Sequence, residues 1–304
     1  MDIVTEKKIA ASLSIVSNAL VISLKLVAGI ISGSISIISE ALHSMTDFIA
    51  SFLTFFAVSR SSEPADKDHQ FGHGKYEDMS GFIEGGLIIF AGLYIIYKSI
   101  SKLVLGHYIN QETTLGIFVM GFAVLANFVV STYLLQIAKR TDSMSLYADG
   151  QHLQSDIFSS VGVLIGLILI KYTGITILDP IIALIVAVVI VRAGYKISKQ
   201  TLNNLLDGAL PKEDVDRIEA ILKSNEQIKG YKELRTRKSG KIRDIEITVF
   251  FEPELKLCDC HKVCDDIENQ MKKVLEDINI IIHTEPICYN TKCHRNPCCI
   301  EKNN

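Results

Sequence analysis

Six apolar stretches of about 20 residues or more fill the first two-thirds of the chain, and a helix is the only open-ended structure that carries so much backbone through hydrocarbon. They lie near 11–32, 35–58, 80–101, 114–137, 146–170 and 178–197. The fifth is the least apolar, because Asp149, His152 and Asp156 dilute its first half; its alternative is a helix lying on the surface. The connections are SGS, a polar loop at 59–79, GHYINQETT, KRTDSMS and KYTGIT. The N-terminus MDIVTEKKIA is charged and the run behind it is too long for a signal-peptide core, so no cleavable signal is expected.

Basic residues orient the spans. With the N-terminus inside, Lys7, Lys8, Arg60, Lys67, Lys75, Lys139, Arg140, Arg192, Lys196 and Lys199 all fall inside. Only Lys98, Lys102 and Lys171 fall outside. Both termini and the loop 59–79 are therefore expected in the cytoplasm, in a multi-pass protein of the cell membrane. Lys25 falls near the outer end of the first span, where it is expected to snorkel. The net charge of -3 argues against nucleic acid as a partner.

Within this bilayer-sized frame, two segments carry polar groups that are costly there. SEALHSMTD contains His43 and Asp47; ADGQHLQSD contains His152 and Asp156. A four-residue spacing puts each pair on one helical face. The second and fifth spans run antiparallel, so both pairs fall near mid-membrane, with Asp47 and His152 as the inner members. Two imidazoles and two carboxylates suit a tetrahedral divalent ion such as Zn2+. Small residues around both motifs favour close helix packing. Glu40 and Asp149, each three residues before a His, are candidates to orient the imidazoles or to line a wet cavity mouth. Glu84 and Asn127 read as structural or cavity-lining.

The polar loop holds Asp66, His69 and His73, with Asp68 as a possible substitute. Gly72 and Gly74 suit a tight turn there. After LLDGALP the pattern turns soluble: a helix near 212–225, strands near 228–237 and 242–252, a helix near 259–276, and a last strand in NIIIHTEP. All seven cysteines follow residue 257. In a reducing compartment they read as metal ligands or spectators rather than disulfides. Cys258, Cys260, His261 and Cys264 cluster around the start of the second of these helices, and Cys288, Cys293, His294, Cys298 and Cys299 form a polar tail able to bind soft ions.

This combination resembles the cation diffusion facilitator family of metal transporters. The resemblance rests on SEALHSMTD, ADGQHLQSD, the loop DKDHQFGHGKYE, and the tail segments LLDGALP, ELRTRKSG and IIIHTEP, and covers roughly residues 10–287. It implies an all-α six-helix transmembrane domain at 1–206, a small cytosolic α+β ferredoxin-like, metallochaperone-like domain at 207–287 that dimerises and binds metal, and a Cys-rich tail at 288–304. It implies a homodimer that exports Zn2+ or a related ion (Fe2+, Co2+, Cd2+ or Mn2+) from the cytosol in exchange for protons, with no organic cofactor. His43, Asp47, His152 and Asp156 match the transport site. Asp66, His69 and His73 match a second ion site at the membrane boundary, and Lys75 matches a residue that pairs with Asp207. In the cytosolic domain His261, His283 and Glu285 stand at ligand positions. Lys232 and Thr248 stand where the family has His, so Cys260 and Cys264 become substitute ligands, and metal bound there would be regulatory. Two other classes compete: a membrane metal sensor, and an intramembrane zinc hydrolase. The hydrolase is weakened because four ligands leave a tetrahedral ion no open position, and no HExxH is present.

Overall fold

A computed structural model describes residues 3–32, 35–105, 114–173, 178–275 and 277–287. The expected linkers near 33–34, 106–113 and 174–177, and the cysteines and histidine of the tail 288–304, lie outside them. The chain divides into two units, residues 1–203 and 204–304.

The first unit is a helical bundle. Its helices are α1 (Ile3–Ser32), α2 (Ile35–Ser61), α3 (Lys75–Leu105), α4 (Thr114–Thr141), α5 (Met144–Thr173) and α6 (Leu178–Leu205). All six expected helices form, and most run several residues past the apolar stretch. Apolarity marks only the bilayer-sized part of a helix, whereas backbone hydrogen bonding continues into the polar flanks. By length and composition, three of the described spans are able to cross a membrane: Ile3–Ala28, Lys75–Ser101 and Gly121–Thr141. The fifth helix is no surface helix: Leu146, Ala148 and Leu153 are buried in the bundle.

The bundle exposes large apolar side chains and buries polar ones beside its apolar core. Val16, Leu20, Phe52, Phe90, Leu125 and Phe128 face outward, whereas Ser14, Asn18, Lys25, Ser51, Thr54, Glu84 and Asp149 are buried. Apolar surface is inexpensive against lipid, while polar groups must find one another inside. They do so in a chain across three helices. Asn18 Nδ2 of α1 donates to Ser51 Oγ of α2 at 2.8 Å, and Ser51 Oγ donates to Asp149 Oδ1 of α5 at 3.1 Å. Lys25 does not snorkel. Its side chain is buried and its Nζ donates to Ser44 Oγ at 2.7 Å, so the interhelical partner outweighs the reach to the surface.

Glycines set the closest approach of α3 to α6. A Cβ on Gly194 would lie 2.9 Å from both the Gly85 carbonyl oxygen and Ile89 Cγ1. Gly194→Val is expected to force the helices apart and to destabilise the bundle by about 1–3 kcal/mol, the usual cost of overpacking. A lowered thermal midpoint in detergent checks this.

The second unit runs α7 (Lys212–Ser224), β1 (Gly230–Ser239), β2 (Ile242–Phe251), α8 (Leu257–Val274) and β3 (Ile278–Pro286). The sheet order is β1-β2-β3, with β1 antiparallel and β3 parallel to β2. The parallel pair is joined through α8, the usual crossover for parallel strands. Ile245, Ile247, Val249 and Phe251 alternate along β2 and pack against Ile218, Leu222, Val263, Ile267 and Met271. A register shift between Lys232 and Arg235, with Glu233 at φ 53°, marks a bulge in β1.

Candidate metal centres

Helices α2 and α5 bring Asp47, His152 and Asp156 together. One ligand atom from each lies within 4.8 Å of the others. His152 Nε2 stands 3.2 Å from Asp47 Oδ1, and both side chains are buried. The sequence spacing explains half of this: His152 and Asp156 share a face of α5 because they are one turn apart. The other half is tertiary, because α2 packs against α5. Asp47 and His152, expected as the inner members of the two pairs, do meet. His43 lies one turn before Asp47 in α2, and its side chain is outside the described residues. The same holds for Glu40.

Of the two roles expected for Asp149, a hydrogen bond that orients the His152 ring is not seen. His152 Nδ1 has no partner, and Asp149 instead accepts from Ser51. Residues three apart share a face only approximately, and here Asp149 turns toward α1 and α2. Glu84 accepts from Thr54 and from Ser80 Oγ at 2.9 Å, while its Oε2 has no hydrogen-bond partner. It is fully buried, as is Asp149. Its electrostatic neighbours include Asp149 and His152. Asn127 of α4 also holds a buried oxygen without a hydrogen-bond partner.

The loop before α3 makes a second cluster. Asp66, His69 and His73 also place one ligand atom each within 4.8 Å of the others. Asp66 Oδ1 accepts the backbone N–H of Asp68 at 2.9 Å and of His69 at 2.6 Å. Its Oδ2 lies 3.4 Å from His73 Nε2. The two imidazole centroids are 4.5 Å apart. Gly72, at φ 82°, supplies the turn that returns the chain to His73. His73 is buried, while Asp66 and His69 are exposed. The backbone N–H of His69, followed by that of Asp68, holds the Asp66 carboxyl below the usual carboxylate range. A depressed folded-state value contributes order above the ordinary pKa and loses it as pH falls through the depressed one. Asp66→Ala is therefore expected to loosen the segment 62–74 at neutral pH, and acidification is expected to loosen the unmodified loop. Faster amide exchange at His69 and Gly72 checks both.

A buried pair that sequence reading missed joins α1 to α3. Lys7 Nζ lies 2.8 Å from Glu77 Oε1, and the side chains are 5% and 2% exposed. Ser61 and Ser143 also donate to Glu77. Lys75 heads α3. In the second unit Asp207 has left-handed φ, 57°, and its carboxylate is 3.6 Å from Arg237.

The candidate ligands of the second unit do not form one site within a chain. Strand alternation is the reason. Ile282 and Thr284 face α8, and so line the same cavity as Cys260, His261 and Cys264. His283 and Glu285, one residue out of phase, point to the other face, in register with Thr248 and Phe250. There Lys232 Nζ stands 2.7 Å from Glu285 Oε2, so an ammonium already neutralises that carboxylate.

A bundle of apolar-faced helices with a metal-ligand cluster on two of them, carrying a small α+β unit, defines a membrane cation transporter. Two family models match accordingly: the cation efflux transmembrane domain over residues 11–206, and the cation efflux protein cytoplasmic domain over 210–287. The chain belongs to the cation diffusion facilitator family. It is similar to an uncharacterized transporter, sll1263, of Synechocystis, at 33% identity over 91% of this chain and 89% of that one. It is also similar to the cation-efflux pump FieF of Pectobacterium atrosepticum, at 30% identity over 84% of each chain. A solved CzrB chain is 26% identical, with a TM-score of 0.26, over 26% of this chain and 100% of its own. The protein is thus a multi-pass cation efflux transporter rather than an enzyme, and the hydrolase alternative falls.

Proposed function

We propose that this chain moves Zn2+ out of the cytosol in exchange for protons, with His43, Asp47, His152 and Asp156 as transport ligands. The observation that carries the reading is the meeting of Asp47 with His152 and Asp156 between α2 and α5. His43, one turn from Asp47, shares its face and is the fourth ligand. Two carboxylates offset the charge of a divalent ion at a depth where charge is costly. Two imidazoles complete a tetrahedron that suits zinc and disfavour magnesium and manganese.

Imidazole binds metal only when neutral, and an unperturbed one titrates at about pH 6.5. Metal and protons therefore compete for the same nitrogens. Metal displaces protons where the site opens inward, and protons displace metal where it opens outward. The lysine and arginine bias orients both termini and the loop at 59–79 toward the cytosol. There Asp66, His69 and His73 hold a second ion on the path or at the loop. Residues 207–287 dimerise the chain.

Protein reconstituted into vesicles with an acidic lumen, so that protons run outward, should take up Zn2+ faster than Cd2+, Co2+, Fe2+ or Mn2+. A faster rate for Fe2+ or Mn2+ would reassign the ion, and uptake of none would remove the transport reading.

A further inference from the structure

The first turns of α8 and the facing side chains of β3 line an open cavity of about 650 Å3. Cys258, Cys260, His261 and Cys264 line it, with Ile282 and Thr284 opposite. All three thiols are free. Cys260 is buried and Cys264 half-buried, whereas Cys258 and His261 are exposed. Cysteine as a small buried hydrophobe accounts for Cys260. It does not account for an exposed thiol and an exposed imidazole bordering the same space.

Helical spacing brings these groups within reach of one ion. Cys260 and Cys264 are one turn apart, with Cβ atoms about 5–6 Å from each other. Two thiolates at that spacing are able to share an ion through bonds of about 2.3 Å. His261 and Cys264 are three apart, again neighbours on the helix surface. Cys258 sits in the first turn of α8, exposed at the rim of the same space. Among the described residues only the two acidic clusters have their ligand atoms already gathered within 4.8 Å, so this third set closes by rotation of its side chains into the cavity. The opposite sheet face offers no comparable site, because Lys232 holds Glu285.

We infer that Cys258, Cys260, His261 and Cys264 form a thiolate-rich metal site in the second unit, selective for soft, thiophilic ions such as Cd2+, Zn2+ or Cu+. Binding forms S–metal bonds and releases the thiol protons to solvent, so affinity rises with pH. The site shares no residue with the transport ligands, and those ligands contain no sulfur.

Co2+ is the probe, because sulfur ligation gives a near-ultraviolet charge-transfer band that nitrogen and oxygen ligation does not. The full chain with Cys288, Cys293, Cys298 and Cys299 each changed to Ser isolates the cavity from the tail. This chain should show the band, saturating at about one Co2+ per chain, with Cd2+ displacing it. Adding Cys260→Ser and Cys264→Ser should abolish the band. Cys264→Ser alone, at a half-buried position, should weaken Co2+ binding at least tenfold. Absence of the band from the tail-substituted chain would overturn the site, and so would its persistence in the double variant or unchanged affinity in the single one. None of these outcomes depends on whether the N2O2 ligands transport zinc.

Discussion

Asp156→Ala should lower Zn2+ affinity at the transport site by at least about 100-fold, because losing even an outer partner of a metal ligand costs 10–100-fold. With the proposed ligand set, the loss would remove a ligating carboxylate and leave the bound ion with one charge uncompensated in the bundle. Asp47→Ala should cost at least as much, since Asp47 Oδ1 is also the 3.2 Å neighbour of His152 Nε2. Equilibrium dialysis of purified protein reads both losses. The Asp66, His69 and His73 cluster must first be silenced by substitution so that one class of site is counted. A loss of less than tenfold in Asp156→Ala would remove it from the ligand set.

Lys7→Met should be the most destabilising change outside the metal centres. It strands Glu77, which is 2% exposed, without its ammonium partner. Breaking one side of a buried pair costs about 3–5 kcal/mol. For a domain of this size the thermal midpoint should fall by roughly 10 °C. The companion change tests the cause. Lys7→Met combined with Glu77→Met removes both charges and should recover much of the loss, as buried pairs replaced by apolar residues often do. A single variant as stable as the unmodified protein would show that Ser61 and Ser143 suffice to hold Glu77.

The helices were legible because bilayer-length apolar runs have few alternative structures, and the strands because IRDIEITVFFE alternates with period two. His43, Asp47, His152 and Asp156 stood out because charge and imidazole are expensive in such runs. Helix rotation was not legible. Lys25 lies near a span end, which suggests snorkelling, yet its partner Ser44 is on another helix. Lys7 and Glu77 are 70 residues apart, and each reads locally as an ordinary flanking charge. Asp149 was placed with His152 on spacing alone, but its partner comes from α2. The cytosolic candidates divide between the two faces of the sheet. In NIIIHTEP, Ile280 and Ile282 take the core phase, so His283 and Glu285 lie on the face away from α8 and its cysteines. What the sequence lacked there was the side of the sheet on which α8 packs.

The most direct measurement of the central claim follows Zn2+ and protons together in proteoliposomes, with one dye for each, comparing the unmodified chain with His152→Ala. Coupled exchange predicts that Zn2+ movement and opposite proton movement rise together in the unmodified chain, and that both are lost in His152→Ala. Zn2+ flux without proton counterflow, or full exchange in the variant, would contradict it.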